Sequence, residues 1–186
     1  MSKFFVKKII LFLLCFILTQ IIFSEIAFSK STILIMQLRP IGINEEVSKK
    51  LSEYLNNAFV DINSSSKAPF EVSVTNADLI KILEQMSFEK RFAYDEAINL
   101  GKQKGAEYVL IGSIGKLYGK YVITVRIVNV SNGIVEWSDV KRLDISTDDN
   151  GLINKQVEYK GENIRLLEKI SKEIAIEARK KFRNRK

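Results

Sequence analysis

The residue types that most often carry enzyme chemistry are scarce in this sequence. It contains no histidine, so an imidazole base, a histidine-based catalytic triad and an imidazole metal site are excluded. Its only cysteine, Cys15, lies in an apolar N-terminal stretch, which removes thiol chemistry and soft-metal sites from the folded body. Serine–lysine and paired-carboxylate catalysis stay open on residue types alone. However, Asp95–Glu96 is explained by a predicted helix start, and Asp148–Asp149 lies in a polar loop where carboxylates are usually solvated. We therefore predict that the chain is not an enzyme and has no catalytic residue, metal or cofactor.

The stretch Gly112–Lys116 partly matches a phosphate-binding loop. The required spacing is G-x-x-x-x-G-K followed by Ser or Thr, but Leu110 occupies the first glycine position and Leu117 follows the lysine. A true phosphate loop also opens a helix, whereas this stretch leads into a predicted strand. We therefore predict that its glycines relieve strand twist or permit a close approach of neighbouring backbone.

One helix and three consecutive strands organise the chain between residues 94 and 142. The helix has a small and apolar face and ends at Gly105, where a left-handed residue is favoured. The strands are Tyr108–Ile114, Lys120–Val130 and Ile134–Arg142, and Asn132–Gly133 between the last two is a strong hairpin signal. Tyr121 and Trp137 lie on adjacent strands, so core or cross-strand packing is predicted for both.

The rest of the chain supplies two more strands and three more helices. These are the strands Thr32–Leu38 and Phe70–Val74, and helices over residues 45–59, 76–86 and 162–182. Pro40 ends the first strand because proline cannot donate to a ladder. Residues 87–93 form a predicted linker whose Phe88 and Phe92 fold onto the core.

This order of elements predicts an α/β fold with a mixed sheet of about five strands. Helices separate the first three strands, which are therefore parallel with right-handed crossovers. The last three strands form an antiparallel meander, followed by the long helix. The predicted strand order is 2-1-3-4-5, with helices on both faces.

A ligand crevice is predicted at the switch point of this sheet. Open α/β sheets bind ligands beyond the carboxyl ends of their strands. In this chain the residues at that point are Arg39, Pro40, Gly42 and Asn44. Glu45 and Glu46 occupy the adjacent helix N-terminus, which argues against an anionic ligand.

The N-terminus has the layout of a secretory signal peptide. Three lysines precede the apolar run Ile9–Phe23, and small residues follow it. We predict a signal peptide over residues 1–29, with cleavage after Ser29 as first choice and after Ser24 as second, and a single domain over residues 30–186. The alternative is an uncleaved inner-membrane anchor, but the run is shorter than the ~20 apolar residues of a spanning helix. The predicted location is therefore the periplasm of a bacterial envelope.

The net charge of +7 is concentrated at the two ends of the chain. The basic tail consists of Arg179, Lys180, Lys181, Arg183, Arg185 and Lys186. Since the body between the ends is close to neutral, we predict no nucleic-acid partner. The tail is either a solvated helix end or a peripheral contact with anionic lipid.

Four segments together resemble a known family of envelope domains. They are Phe70–Val72 followed by Leu79–Gln85, then Ala97–Gly101, Gly105–Ser113 and Val125–Val135. Over about residues 32–142 the chain resembles the α/β domain shared by the curli-secretion protein CsgG, the penicillin-binding-protein activator LpoB and the N-terminal domain of TolB. The resemblance implies a periplasmic or outer-membrane-associated binding domain. A lipidated cysteine and the membrane-crossing hairpins of CsgG have no counterpart, which argues against outer-membrane anchoring and against a self-sufficient pore.

These observations predict a secreted, non-enzymatic envelope accessory domain that binds a protein partner. Two alternatives stay open. One is a homo-oligomeric, ring-forming subunit of an envelope secretion or assembly complex. The other is a periplasmic domain that senses a small ligand in the crevice at Arg39–Asn44.

Overall fold

The computed structural model describes residues 30–64, 68–143 and 161–183. Its strands are β1 (Ser31–Ile35), β2 (Arg39–Ile41), β3 (Phe70–Val72), β4 (Tyr108–Leu117), β5 (Lys120–Asn129) and β6 (Val135–Leu143). Its helices are α1 (Glu45–Asn63), α2 (Asn76–Glu84), α3 (Phe88–Arg91), α4 (Tyr94–Gln103) and α5 (Gly161–Arg183). The predicted cleavage positions Ser24 and Ser29 and the pair Asp148–Asp149 lie outside the described residues.

The sheet has the predicted topology. Its order is β3-β1-β4-β5-β6, with β2 also paired to β4. β1 runs parallel to β3 and β4, whereas β4, β5 and β6 form an antiparallel meander. If β2, which was not predicted, is left out and the other five strands are numbered in chain order, this order is 2-1-3-4-5. The predicted mixed α/β fold is therefore confirmed.

The two faces of the sheet carry separate cores. One face packs against α1 and α5 from β1 to β6, with Ile33 and Ile35 among its buried residues. An aromatic cluster of Phe70, Tyr108 and Phe182 anchors α5 there, with ring centroids 4.6 to 5.8 Å apart. The other face packs against α2 and α4.

The helix and turn signals in the sequence are largely confirmed. The Asn44 side chain accepts a hydrogen bond from the Glu46 amide at 2.9 Å, and Thr75 accepts one from the Asp78 amide at 3.3 Å. Gly105 ends α4 with a φ of +65°. These caps satisfy backbone groups that a helix leaves unpaired at its ends.

The short strand β2 corrects the prediction that Pro40 ends the pairing. Pro40 pairs in parallel with Ile114, and Arg39 pairs with Ser113. Among the described residues β2 has a strand on one side only. Proline is tolerated on such an edge because its missing N–H costs no inner ladder bond.

An extra residue interrupts the pairing between β1 and β2. Ile35 pairs with Leu110 and Arg39 with Ser113, so four steps on this side match three steps on β4. The insertion acts as a bulge and reverses which face the following side chains occupy. The buried backbone of Leu38 is satisfied by α1 instead of by the sheet. Its N–H donates to Ser52 Oγ at 2.9 Å, and its carbonyl accepts from Ser48 Oγ.

Residues 87–93 also differ from the prediction. They contain the short helix α3, and Phe88 is 41% exposed instead of folded onto the core. Its ring packs edge-on against Phe92 with the centroids 5.0 Å apart. Phe88 and Phe92 therefore pack against each other, and Phe88 is less buried than predicted.

Gly112 allows the close approach of β4 and β5. A Cβ at this position would lie 2.0 Å from the Thr124 carbonyl oxygen and 2.9 Å from Leu38 Cδ2. The predicted role of the glycines as points of close backbone approach is confirmed here. The stretch Gly112–Lys116 lies within a strand, so it does not open a helix as a phosphate loop would.

Replacing Gly112 should therefore destabilise the sheet. We expect Gly112→Ala to lower the free energy of unfolding by about 1–3 kcal/mol, because β4 and β5 must separate to admit a methyl group. Gly115→Ala in the same strand is the comparison. Its Cβ would lie 3.1 Å from Ile41 O, which is tight but needs a much smaller shift, so we expect a smaller loss. Urea unfolding of both variants measures the difference, and equal losses would contradict the close-approach role.

The serine link at Leu38 gives a second prediction. Ser52→Ala leaves the buried Leu38 N–H without its partner, so we expect a loss of about 1–3 kcal/mol. The control is Ser64→Ala, which removes an exposed hydroxyl bonded to the Asp61 carbonyl at 2.8 Å and should cost less than about 0.5 kcal/mol. Urea unfolding again provides the measurement. A Ser52→Ala variant as stable as Ser64→Ala would show that the hydroxyl is dispensable.

Candidate functional site

The four residues of the predicted ligand crevice take separate structural roles. Arg39 and Pro40 belong to β2, and Gly42 follows them with a φ of +65°. Asn44 caps α1. None of the four lines the cavity described next, and the ligand crevice at these positions stays a prediction.

A cavity of about 280 Å³ lies beside the carboxyl end of β1. Its lining combines apolar and polar side chains: Ile35, Gln37, Glu46, Lys49, Ser52, Leu79, Ile80, Leu83, Glu84 and Arg91. Arg91 Nη1 lies 3.1 Å from Glu45 Oε1, and Arg91 Nε donates to the Met86 carbonyl at 3.2 Å. The Arg91 guanidinium is therefore already engaged, whereas Glu46, Lys49 and Glu84 are further charged groups in the lining.

The helices cover the second face of the sheet only in part. The α2–α4 side of the core reaches Leu34 and Met36 of the first strand region, Val109 of β4 and Val128 of β5. Beyond them, no described helix packs core residues onto the side chains that register places on the same face. We call this surface the open face, and it consists of Arg39, Ile41, Ser113, Gly115, Leu117, Val122, Thr124, Arg126, Ser138, Val140 and Arg142.

Three arginines give the open face its charge. Arg39, Arg126 and Arg142 are all exposed. Within the part of the chain that the structure describes, their side chains form no ion pair and no hydrogen bond. No acidic side chain occupies an open-face position, and Glu136, two residues before Ser138, already has an interaction of its own. The surface therefore presents guanidinium groups that are available to a partner.

Aliphatic and hydroxyl side chains fill the space between the arginines. Ile41 is 55% exposed, Leu117 56% and Val140 56%. Ser113 Oγ and Thr124 Oγ1 lie 2.8 Å apart across β4 and β5. The result is a flat surface that mixes apolar area with cationic groups.

The turn between β4 and β5 extends this surface. Tyr118 is 94% exposed and has a φ of +49°, and Gly119 has a φ of +79°. Two consecutive positive φ values make a two-residue turn that matches strand twist. The left-handed conformation costs a tyrosine ~1–2 kcal/mol of conformational free energy. Burial of the ring does not offset this cost, because the side chain is exposed to solvent. The predicted hairpin at Asn132–Gly133 also forms, with Gly133 as its left-handed residue at a φ of +70°.

The edge strand β6 is protected against pairing with another strand. The Val140 N–H donates to the Asp139 carboxylate at 2.8 Å. Lys141 lies 3.0 Å from Asp139 and 2.9 Å from Glu177 of α5. Burial lowers the pKa of Lys141, but the hydrogen bonds to Glu177 and Asp139 outweigh it and raise the pKa above its ordinary value. Partly buried charges on an edge are a device that discourages strand addition.

Other predicted groups fall outside the open face. Asp95 lies in the first turn of α4, and Tyr121 and Trp137 pack on the α1–α5 side of the sheet. The packing predicted for Tyr121 and Trp137 is therefore confirmed. Arg179 donates to the Ile62 carbonyl at 3.1 Å, so it is held against the body.

The remaining tail cations are only partly described. Lys180, Lys181 and Arg183 are exposed at the end of α5, and Arg185 and Lys186 lie outside the described residues. The described residues contain no cluster of His, Cys, Asp and Glu suited to a metal ion.

None of the described helices has the length and apolar character needed to cross a membrane.

The alternation of residues along β5 and β6 contains a signal for the open face. Arg126 and Arg142 alternate with core residues along β5 and β6, so both had to lie on the opposite face from Val125 and Leu143. Sequence alone did not show which half of that face the helices cover. The position of Arg39 was hidden as well, because it depends on the extra residue before β2.

Three solved structures are similar to this chain at low sequence identity. The LpoB C-terminal domain from Salmonella enterica is 20% identical and aligns over 68% of this chain and 92% of that one, with a TM-score of 0.47. The corresponding domain from Escherichia coli is 18% identical over 70% and 93% of the two chains, with a TM-score of 0.47. The lipoprotein GNA1162 from Neisseria meningitidis is 14% identical over 78% and 96%, with a TM-score of 0.49.

A family comparison gives a result for more than half of the chain. None of the curated proteins matches the chain in sequence. The sequence model of the peptidoglycan-synthase activator LpoB matches residues 45–143. The LpoB part of the predicted resemblance is therefore confirmed, whereas the CsgG and TolB parts stay predictions. On this match, the chain belongs to the peptidoglycan-synthase activator LpoB family.

Proposed function

We propose that the chain is an exported, non-enzymatic accessory of the cell envelope that binds and regulates a protein partner. The observation that carries this proposal is the family match over residues 45–143. The family is described as an activator of peptidoglycan synthase, so a synthase of that class is the partner we propose.

The residue chemistry supports binding over catalysis. The chain has no histidine, and its single cysteine lies in the N-terminal apolar stretch. The pair Asp95–Glu96 serves the start of α4, where the helix dipole favours acidic residues. The open face offers cationic and apolar contact area without a nucleophile–base pair, and this composition suits recognition of another protein.

Export is part of the same proposal. The charged and apolar pattern of residues 1–29 supports a signal peptide that is removed after Ser29, or after Ser24 as second choice. The exposed cations Lys180, Lys181 and Arg183 support a weak additional contact with anionic lipid. The alternative of a retained inner-membrane anchor has the same protein partner.

Crosslinking in the cells that make the protein tests the proposal. An epitope-tagged full-length chain, crosslinked in intact cells and purified under denaturing conditions, should carry a covalently attached protein partner. An unrelated exported protein with the same tag is the control. N-terminal sequencing of the recovered chain distinguishes cleavage after Ser29, cleavage after Ser24 and retention. Recovery of no protein beyond those in the control would contradict partner binding.

The cavity beside β1 supports a second candidate function, the sensing of a small ligand. Its volume of about 280 Å³ and its mixed lining suit a molecule of modest size. A thermal-shift screen with nucleotides and sugars should then raise the melting temperature by several degrees for one class at concentrations far above its Kd. Ile80→Trp fills the cavity mouth from a 45% exposed position and should abolish that shift. No shift with any compound would remove this candidate.

A further inference from the structure

We infer that the open face is the docking surface of this chain and that it receives an acidic surface of the protein partner. The inference rests on the proposed function, because it assumes that a protein partner exists. It adds the location of the contact, which is the uncovered half of the sheet around Arg126, Val140 and Arg142. It also adds the chemistry of the occupant, which presents carboxylates and some apolar side chains.

The charge of the surface favours a partner that carries carboxylates. Arg39, Arg126 and Arg142 are exposed, and among the described residues none of them has an ion-pair partner. Guanidinium groups bind carboxylates through two parallel hydrogen bonds, which gives both orientation and strength. An acidic partner would therefore satisfy three groups that have no counter-charge among the described residues.

The apolar part of the surface favours a protein over a small anion. Ile41, Leu117 and Val140 each expose more than half of their side chains on the same face as the arginines. The uncovered face of an antiparallel sheet is commonly polar, so exposed aliphatic residues are unexpected there. Arginine among apolar side chains is the composition typical of protein interfaces.

The same features argue against a second copy and against strand addition. A two-fold contact through the open face would place arginines opposite arginines, because such an interface uses the same patch on both subunits. Like charges in that arrangement are strongly unfavourable. The β6 edge is guarded by the bond from the Val140 N–H to Asp139 and by the Lys141–Glu177 pair. A different protein lying on the face is the occupant that remains.

Photocrosslinking from defined positions locates the contact. A photoreactive benzoylphenylalanine in place of Val140 reports on the open face, and the same group in place of Val60 reports on α1, where Val60 is 48% exposed. Both full-length variants are irradiated in the cells that make the protein. We expect a protein adduct from position 140 and none from position 60, with the attached partner peptide rich in Asp and Glu. The partner identified by mass spectrometry is then produced in pure form.

Charge reversal tests the chemistry with that purified partner. Arg126→Glu combined with Arg142→Glu should raise the Kd at least ~10-fold, since it replaces attraction by repulsion. Lys102→Glu combined with Lys104→Glu makes the same change in net charge at the exposed end of α4 and should alter the Kd less than ~2-fold. Added salt should weaken binding of the wild-type chain and have little effect on the open-face variant. Unfolding curves of both double variants show whether each is folded.

The outcomes separate this inference from the proposed function. A partner captured only from position 60, or an open-face variant that is folded and binds like the wild type, would overturn the inference and leave the proposed function intact. A lipid or glycan adduct at position 140 instead of a protein would also overturn the inference. If no position yields a protein adduct and crosslinking of the tagged wild-type chain fails as well, the proposed function falls and the inference falls with it.

Discussion

Two hydrogen bonds between the Leu38 backbone and serines of α1 determine which face of the sheet the side chains of β2 occupy. The one-residue insertion before β2 leaves the Leu38 N–H and carbonyl away from the sheet, in a position where water cannot reach them. Ser52 and Ser48 satisfy both groups, so the insertion is retained without an unpaired buried polar group. Ile33 and Ile35 face the α1–α5 core, and simple alternation would direct Arg39 into that core too. The insertion reverses the phase and places Arg39 and Ile41 on the open face.

The open face itself follows from unequal helix lengths on the two sides of the sheet. On one side α1 has 19 residues and α5 has 23, and their core extends from β1 to the end of β6. On the other side α2 and α4 have 9 and 10 residues, and along β5 their core reaches only Val128. Since a helix rises only ~1.5 Å per residue, these short helices cannot cover the whole meander. Part of one sheet face therefore lies beyond the reach of the described helices on that side.

Much of the fold could be predicted because its signals are local. The alternation of apolar and polar residues along β5 correctly predicted which side chains face the core. Asn44 and Thr75 correctly marked two helix starts. The missing parts depend on contacts between distant residues. The pairing of β2 needs Ser48 and Ser52, which read in the sequence only as polar positions of a helix. In the same way, the exposure of Phe88 depends on how α3 packs. Ser87 marks the start of that helix but does not determine how it packs against the core.

The net charge of the body does not reveal the open face, because it adds charges that lie on different surfaces. The body between the two basic ends is close to neutral, and this total predicts no nucleic-acid partner but gives no sign of a local cationic surface. In the structure, negatively and positively charged side chains lie on different surfaces. Glu45, Glu46 and Glu53 lie along α1, whereas the open face carries arginines without a carboxylate among its residues. Charges act over a screening length of about 8–10 Å in physiological salt, which is shorter than the distance across a domain of this size. A partner on the sheet therefore meets the local charge of the open face, and the neutral total has no bearing on what it binds.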